Sequence, residues 1–353
     1  MNTIEASIIA EWQDKLEKGL DLNTPTNSGR TPLNDEIFVG RFDVARFLIS
    51  RGARVDMSSH SPVVYASRHD DPEFIRHLIE SGADVNGTDH FGNHALDTAV
   101  FARRHRNVVL LIESGAICEI GLVYTAALIN NLDIVKTLVE AGCDVNKADA
   151  FGISKSTPLH MALMVSNPDM AAYLLDNGAN ALAQDEQGLR PFHLARAKGY
   201  DSLAAKLVSL EPKEWHDTQI RRQHLADVGL PCSVLDFLGE VNRRIDFSEA
   251  DACVTKSIIF NTIEEVPDYT WKKMRVLDLL QTVENYSGVG TLCWFVNEGC
   301  LGTYDVEHQS WGFMRDLTIE SFLERPAHHI NCILQGGYTQ FDPEFMDEDE
   351  EDV

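Results

Sequence analysis

Apolar residues recur three and four positions apart in short stretches spread over the first 210 residues. The clearest are Asp43-Val44-Ala45-Arg46-Phe47-Leu48-Ile49 and Leu132-Asp133-Ile134-Val135-Lys136-Thr137-Leu138-Val139, and the spacing predicts helices with one buried stripe each. Such stretches run into a glycine, a small residue and a polar turn: Gly52-Ala53-Arg54-Val55-Asp56, Gly82-Ala83-Asp84-Val85-Asn86, Gly142-Cys143-Asp144-Val145-Asn146 and Gly178-Ala179-Asn180. Weaker copies stand at Gly19-Leu20-Asp21-Leu22-Asn23 and Gly115-Ala116. Successive glycines lie 33, 30, 33, 27 and 36 residues apart. Glycine accepts the left-handed conformation that turns a chain out of a helix. A period of this length predicts stacked helix pairs, because one pair alone cannot bury its apolar face.

The first helix of each pair carries its own signal, in Gly29-Arg30-Thr31-Pro32-Leu33, Ser156-Thr157-Pro158-Leu159-His160-Met161-Ala162 and Gly188-Leu189-Arg190-Pro191-Phe192-His193-Leu194-Ala195. Threonine caps the helix by accepting a backbone N–H, and proline takes the first helical position, where a missing donor costs nothing. These phrases resemble the Thr-Pro-Leu-His-x-Ala motif of ankyrin repeats. Openings fall near Gly29, Ser61, Gly92, Leu122, Thr157 and Gly188, about six repeats. An N-terminal cap precedes them, with only its second helix, Glu11 to Leu20, in clear form. His94-Ala95-Leu96-Asp97 departs from the motif, the repeat near Leu122 lacks the proline, and Ile153-Ser154-Lys155 is an insertion.

The resemblance covers about residues 10–210 and implies an all-α solenoid over 1–210. It also implies a protein partner held on a concave face of turn tips and first helices. Mapped by position, that face presents Phe38, Tyr65, Arg68, His69, Phe101, Met161 and Met164, with Thr98, Leu128 and Lys198 beside them. Aromatic, methionine and arginine side chains suit a protein-binding surface. His160 and His193 fall at the motif's capping position and read as structural.

After about Val208 the helical period lapses, and Glu211-Pro212-Lys213 marks a boundary. A short helix is expected at 233–241, strands at 257–260, 290–296 and 301–306, and a hairpin turn at Asn297-Glu298-Gly299. A closing helix fits 318–325, stopped by Pro326. Helices mixed with a mainly antiparallel sheet make this a smaller α+β domain over 211–340, so the chain is multidomain. Gly229-Leu230-Pro231, Val234-Leu235-Asp236-Phe237-Leu238 and Asn242 resemble the opening of the SUKH superfamily. Gly299 to Asp305, Ser310-Trp311-Gly312 and Ser321-Phe322-Leu323 are similar to its later strands and terminal helix. That resemblance implies an immunity or regulatory protein; the family's usual Asn-Gly pair is Asn242-Arg243 here.

Charge changes the picture of the partner. The net charge is −25; residues 1–210 hold 19 basic against 27 acidic side chains, and residues 211–353 hold 11 against 28. Such a field repels nucleic acid and anionic membrane and favours a basic protein partner, with a toxin suspected from the SUKH resemblance. Eight acids lie within Asp342–Val353, and 341–353 reads as an acidic disordered tail. Asp305, Glu307 and Trp311 are the candidate acidic-aromatic patch of the second domain, where one or two of Trp271, Trp294 and Trp311 should be core.

The chemistry-bearing motifs are few. Seven scattered cysteines without a Cys-x-x-Cys suggest reduced thiols in a cytoplasmic protein, and Met1-Asn2-Thr3-Ile4-Glu5 lacks the basic start of a secretory signal. No apolar run approaches the roughly 20 residues of a membrane span. His328-His329 with Cys332 read as surface groups on an irregular segment, Glu264-Glu265 and Asp268 as a solvated face, and Gly288-Val289-Gly290 as too short for a phosphate loop. No metalloprotease, nucleophile-elbow, Walker or Rossmann motif occurs. The expectation is a non-catalytic binding protein without cofactor, either an immunity protein or a general adaptor; sequence leaves the oligomeric state open.

Overall fold

Helix pairs follow the turn glycines along the chain. After α1 (Thr3–Glu17) come α2 (Pro32–Phe38) with α3 (Phe42–Ser50), α4 (Pro62–Ser67) with α5 (Pro72–Glu80), and α6 (Ala95–Phe101) with α7 (His105–Glu113). Then follow α8 (Leu122–Leu128) with α9 (Leu132–Glu140) and α10 (Pro158–Met164) with α11 (Pro168–Asp176). First helices pack in series, α2 on α4, α4 on α6, α6 on α8 and α8 on α10. The computed structural model describes residues 3–119, 121–148, 155–185, 188–248, 255–271, 274–283, 286–287, 290–305 and 310–335, and its contacts form two compact units, Met1–Asn180 and Ala181–Val353. Most of the insertion at 153–155, Cys253, Glu307 and the run 341–353 lie outside the described residues.

Local chemistry explains the helix starts. The Thr31 side chain accepts from the Asn34 backbone N–H, and Asn131, Asn167 and Asp71 cap second helices in the same way. His160 is fully buried, and its Nδ1 accepts from the Thr157 backbone N–H at 3.1 Å; His193 does the same for Arg190 at 2.9 Å. The N-terminal cap is longer than its sequence pattern suggested. Helix α1 starts at Thr3 and packs on α3, and Trp12 donates its ring N–H to buried Glu36 at 3.0 Å.

The polar turns do more than leave the helix. In Asp21-Leu22-Asn23, Asp84-Val85-Asn86 and Asp144-Val145-Asn146 the aspartate accepts from the asparagine's backbone N–H at 2.8–2.9 Å, fixing that residue. The asparagine side chain then reaches the following repeat. Asn86 donates to the Gly115 carbonyl at 3.1 Å and accepts from Ile117 N at 2.9 Å; Asn146 donates to Gly178 at 3.0 Å and accepts from Asn180 N at 2.7 Å. Asn23 accepts from Arg54 N at 2.8 Å.

Glu119 replaces this asparagine in the degenerate turn, and there a covalent link joins the neighbours: Cys118 is disulfide-bonded to Cys143. The expected reduced state therefore does not hold for these two residues. They occupy adjacent turns with Cα atoms 5.5 Å apart, a separation sequence spacing could not reveal. Cys232, Cys293, Cys300 and Cys332 are free thiols. Asn146→Ala should lower stability by about 1–2 kcal/mol through two lost inter-repeat hydrogen bonds, read from the urea midpoint of the helical circular-dichroism signal. An unchanged midpoint would show that the turn-to-turn bonds are decorative.

The second unit begins with one more pair in the repeat spelling, α12 (Pro191–Ala197) and α13 (Asp201–Leu210), then α14 (Thr218–Asp227) and α15 (Cys232–Leu238). One sheet has the order β1 (Arg244–Asp246), β2 (Ser257–Phe260), β5 (Leu280–Val283), β6 (Tyr286–Ser287). The other runs β3 (Asp268–Trp271), β4 (Met274–Asp278), β7 (Cys293–Phe295), β8 (Cys300–Asp305), β9 (Ser310–Met314). All strand pairs are antiparallel, and β7–β8 is the expected hairpin. Side chains alternate across the larger sheet: Leu277, Trp294 and Leu301 join the core with α15 and Phe322, while Val276, Cys293 and Phe295 join Tyr304 and Trp311 on the other face. Gly302 permits this, since a Cβ there would lie 2.4 Å from the Phe295 ring.

Several sequence expectations change. Pro326 does not simply stop a helix: α16 (Ile319–Glu324) ends before it and Pro326 opens α17 (Pro326–Leu334), where its missing N–H costs nothing. His328 and His329 therefore lie on a helix, and His329 turns inward to stack on Phe322, its pKa lowered by burial. Glu265 and Asp268 are not a solvated face. Glu265 is buried against Arg196 at 2.9 Å, and Asp268 binds Arg275 at 2.7 and 2.9 Å and His224 at 2.9 Å.

Candidate protein-binding surface

The first helices share one seven-residue frame, counted from the residue after the N-cap. Positions two, five and six are buried in every copy of the first unit, as Leu96, Ala99 and Val100 in α6 and Leu159, Ala162 and Leu163 in α10. Position seven is exposed in every copy: Phe38, Arg68, Phe101, Leu128 and Met164. Exposure reaches 61% for Phe101 and 50% for Met164. Five successive helices thus set one row of large side chains in solvent, and four of the five are apolar. Scattered exposed apolar residues are ordinary, but a row in fixed register is the kind of patch that marks an interaction site.

Position four behaves differently. Tyr65 and Met161 were expected on this surface, yet both are buried, at 4% and 6% exposure. Position four lies one turn before position seven and varies in depth, being half-buried at Asp35, Thr98 and Thr125. The Tyr65 hydroxyl bonds His90 Nδ1 at 2.8 Å, and burial pushes its pKa up. Thr98 is half-buried, and His69 is half-buried with its pKa lowered by desolvation. Lys198 follows α12 in the second unit.

In the second unit Trp311 is buried at 7% exposure beside Tyr304, with which it pairs across β8 and β9, so it forms no surface patch. It fills the second face of the larger sheet, as Trp294 fills the first. Asp305 is placed only as a strand residue, and Glu307 lies outside the described residues.

Other exposed groups carried a weaker sequence signal. Phe91 is 77% exposed at a turn tip, where the Asp89 carboxylate accepts from the Phe91 and Asn93 backbone N–H groups at 2.9 Å each. An aromatic inside a turn, out of phase with the core stripe, was the clue. Arg103-Arg104-His105-Arg106 is a basic run in an acidic chain, a signal the repeat register does not carry.

The second unit also holds a cavity of about 360 Å³ lined by Arg190, His193, Trp215, Arg221, His224 and Asp268, among others. Its charges are engaged: Arg190 pairs with buried Glu211 at 3.1 Å and lies 4.3 Å from the Trp215 ring. Among the described residues no group of three or more His, Cys, Asp or Glu could hold a metal, and no helix is long and apolar enough to cross a membrane.

Residues 122–216 match the family model for ankyrin repeats, in three copies. The putative ankyrin repeat protein YahD of Escherichia coli is 25% identical over 203 residues, 55% of this chain and 86% of YahD. The putative palmitoyltransferase ZDHHC13 of Danio rerio is 25% identical over 52% of this chain, and the nuclear factor NF-kappa-B p105 subunit of Gallus gallus 29% over 38%. The matches span only 30% and 14% of those two relatives. The ankyrin repeat domain of Bcl-3 aligns at a TM-score of 0.44 and 25% identity, covering 51% of this chain and 86% of that one. The helical region of this chain is built of ankyrin repeats, a generally non-catalytic, protein-binding fold, and a region of antiparallel sheet follows them.

Proposed function

We propose that this chain is a non-catalytic recognition protein that neutralises a cognate bacterial toxin by binding and covering it. The observation that carries the recognition role is the row of exposed side chains at position seven of five successive first helices. Phe38, Arg68, Phe101, Leu128 and Met164 form its contact surface, with His69 beside them. Residues 1–210 act as the solenoid, 211–340 as a SUKH-like module and 341–353 as an acidic tail. The net charge of −25 suits a partner that is basic overall, whose capture it would accelerate. The SUKH resemblance supplies the toxin.

Co-expression with toxins encoded beside the gene tests this: growth is restored for one of them, and a Phe101→Ser/Met164→Ser variant fails to restore it. Rescue by no candidate would remove the immunity role. The second reading, a general adaptor recruiting a non-toxin protein, is favoured by the presence of similar repeats in proteins as different as ZDHHC13 and the p105 subunit.

A further inference from the structure

Arginines gather at one end of the exposed row although the chain is strongly acidic. Two guanidinium groups lie over the Phe38 ring, Arg30 at 4.2 Å and Arg68 at 4.3 Å from its centroid. Arg104 donates its Nε–H to the Arg68 carbonyl at 2.9 Å, so it adjoins the same site. Arg103 and Arg106 follow exposed Phe101 within five residues and are exposed themselves. The surface is continuous from Arg30 through Phe38 and Arg68 to Arg104.

Their partners are the telling point. Arg30, Arg41, Arg54 and Arg76 all form ion pairs, with Asp35, Glu36, Asp56 and Glu73. Arg68, Arg103, Arg104 and Arg106 form none among the described residues, although the chain has 55 acidic side chains to offer; Arg46 and Arg51 also form none, but each lies over an aromatic ring of its own, Phe74 and Phe47. Arg68 places its cation over an aromatic face, a geometry worth more once water is removed. Asp97, the acid nearest in sequence to Phe101, has its pKa raised by burial rather than lowered by an arginine.

We infer that this arginine-bearing end of the row docks an acidic protein segment that also carries apolar side chains. Carboxylates would take the guanidinium donors bidentately, and apolar side chains would cover Phe38 and Phe101. The inference rests on the reading of the row as a protein-binding surface and adds the sign of what touches it. A partner that is basic overall but bears one acidic, apolar segment satisfies both the long-range field and the contact surface. Nucleic acid is the alternative polyanion, and the field of the whole chain opposes it.

Fluorescence anisotropy with the full chain tests this, using a labelled peptide of alternating glutamate and phenylalanine and a lysine-phenylalanine counterpart. The acidic peptide should bind more tightly and weaken with added salt. Arg68→Glu should cost about ten-fold or more in affinity. Arg103→Glu/Arg106→Glu, two exposed positions at which the fold has little at stake, should act in the same direction. Tighter binding of the basic peptide, abolished by Phe101→Ser, would overturn the inference while leaving the row as a binding surface. Binding of neither peptide would count against both, and tighter binding of a single-stranded DNA oligonucleotide would overturn the choice of a protein segment.

Discussion

Phe101→Ser combined with Met164→Ser should weaken binding of the protein partner by about one to two orders of magnitude while leaving the melting temperature nearly unchanged. Both side chains are at least half exposed in the free chain, so truncation removes little from the folded state. In a complex each would lose its remaining contact with water, worth roughly 1.5–3 kcal/mol for a fully buried phenylalanine or methionine. Only about half to three-fifths of each side chain remains to be buried, so the two together contribute about 2–3 kcal/mol, and every 1.4 kcal/mol is a factor of about ten in affinity. The contrast lies one position earlier on the same helices. Val100→Ala and Leu163→Ala empty a wholly buried site, so they should lower stability by about 1–4 kcal/mol and affect binding only through the fold. Equal loss of affinity and stability in the double serine variant would refute the separation of row from core.

Asp278→Asn should stabilise the second unit, and by an amount that grows with pH. The Asp278 side chain is fully buried at the end of β4; its Oδ1 accepts from the Gly290 backbone N–H at 2.9 Å and its Oδ2 from the Tyr304 hydroxyl at 3.1 Å. Burial pushes its pKa up to about 8, against an ordinary value near 3.8. Between those values the folded chain retains a proton that the unfolded chain releases, so this residue makes stability fall as pH rises through the window. The slope is roughly 1.4 kcal/mol per pH unit. Asparagine keeps the acceptor toward Gly290 and has no charge to bury. The variant and the parent should therefore be equally stable near pH 4 and separate by several kcal/mol toward pH 8. Urea unfolding followed by tryptophan fluorescence reads this, because buried Trp294 and Trp311 belong to the cores on the two faces of the larger sheet. A difference independent of pH would mean that Asp278 is ionised in the folded state.

The helical array was legible because its signals are local and repeated. Gly52, Gly82, Gly115, Gly142 and Gly178 all adopt positive φ, and the proline-led helices begin where Thr31 and Thr157 place them. The exposed row was legible only in part. Phe38, Phe101, Leu128 and Met164 could be named from the repeat register. Tyr65 and Met161 could not be excluded, because position four differs in depth from copy to copy, buried in these two and half-buried at Asp35, Thr98 and Thr125. The Cys118–Cys143 bond escaped for a related reason, since it depends on two turns meeting across 25 residues.

The sheets were harder still. Short strands such as β3 and β6 lack a long alternating pattern, and both faces of β7 are buried, which erases the alternation that marks a half-exposed strand. Trp311 looked like a surface aromatic beside acids until its pairing with Tyr304 placed it inside.

Site-specific photo-crosslinking in the source cells tests the recognition surface most directly. A benzophenone amino acid placed in turn at Phe101, Leu128 and Met164 should give one common crosslinked protein, and the same probe at Arg76 or Glu140 on the second helices should give none. Equal yields from both sets, or products confined to the second helices, would contradict recognition through the exposed row.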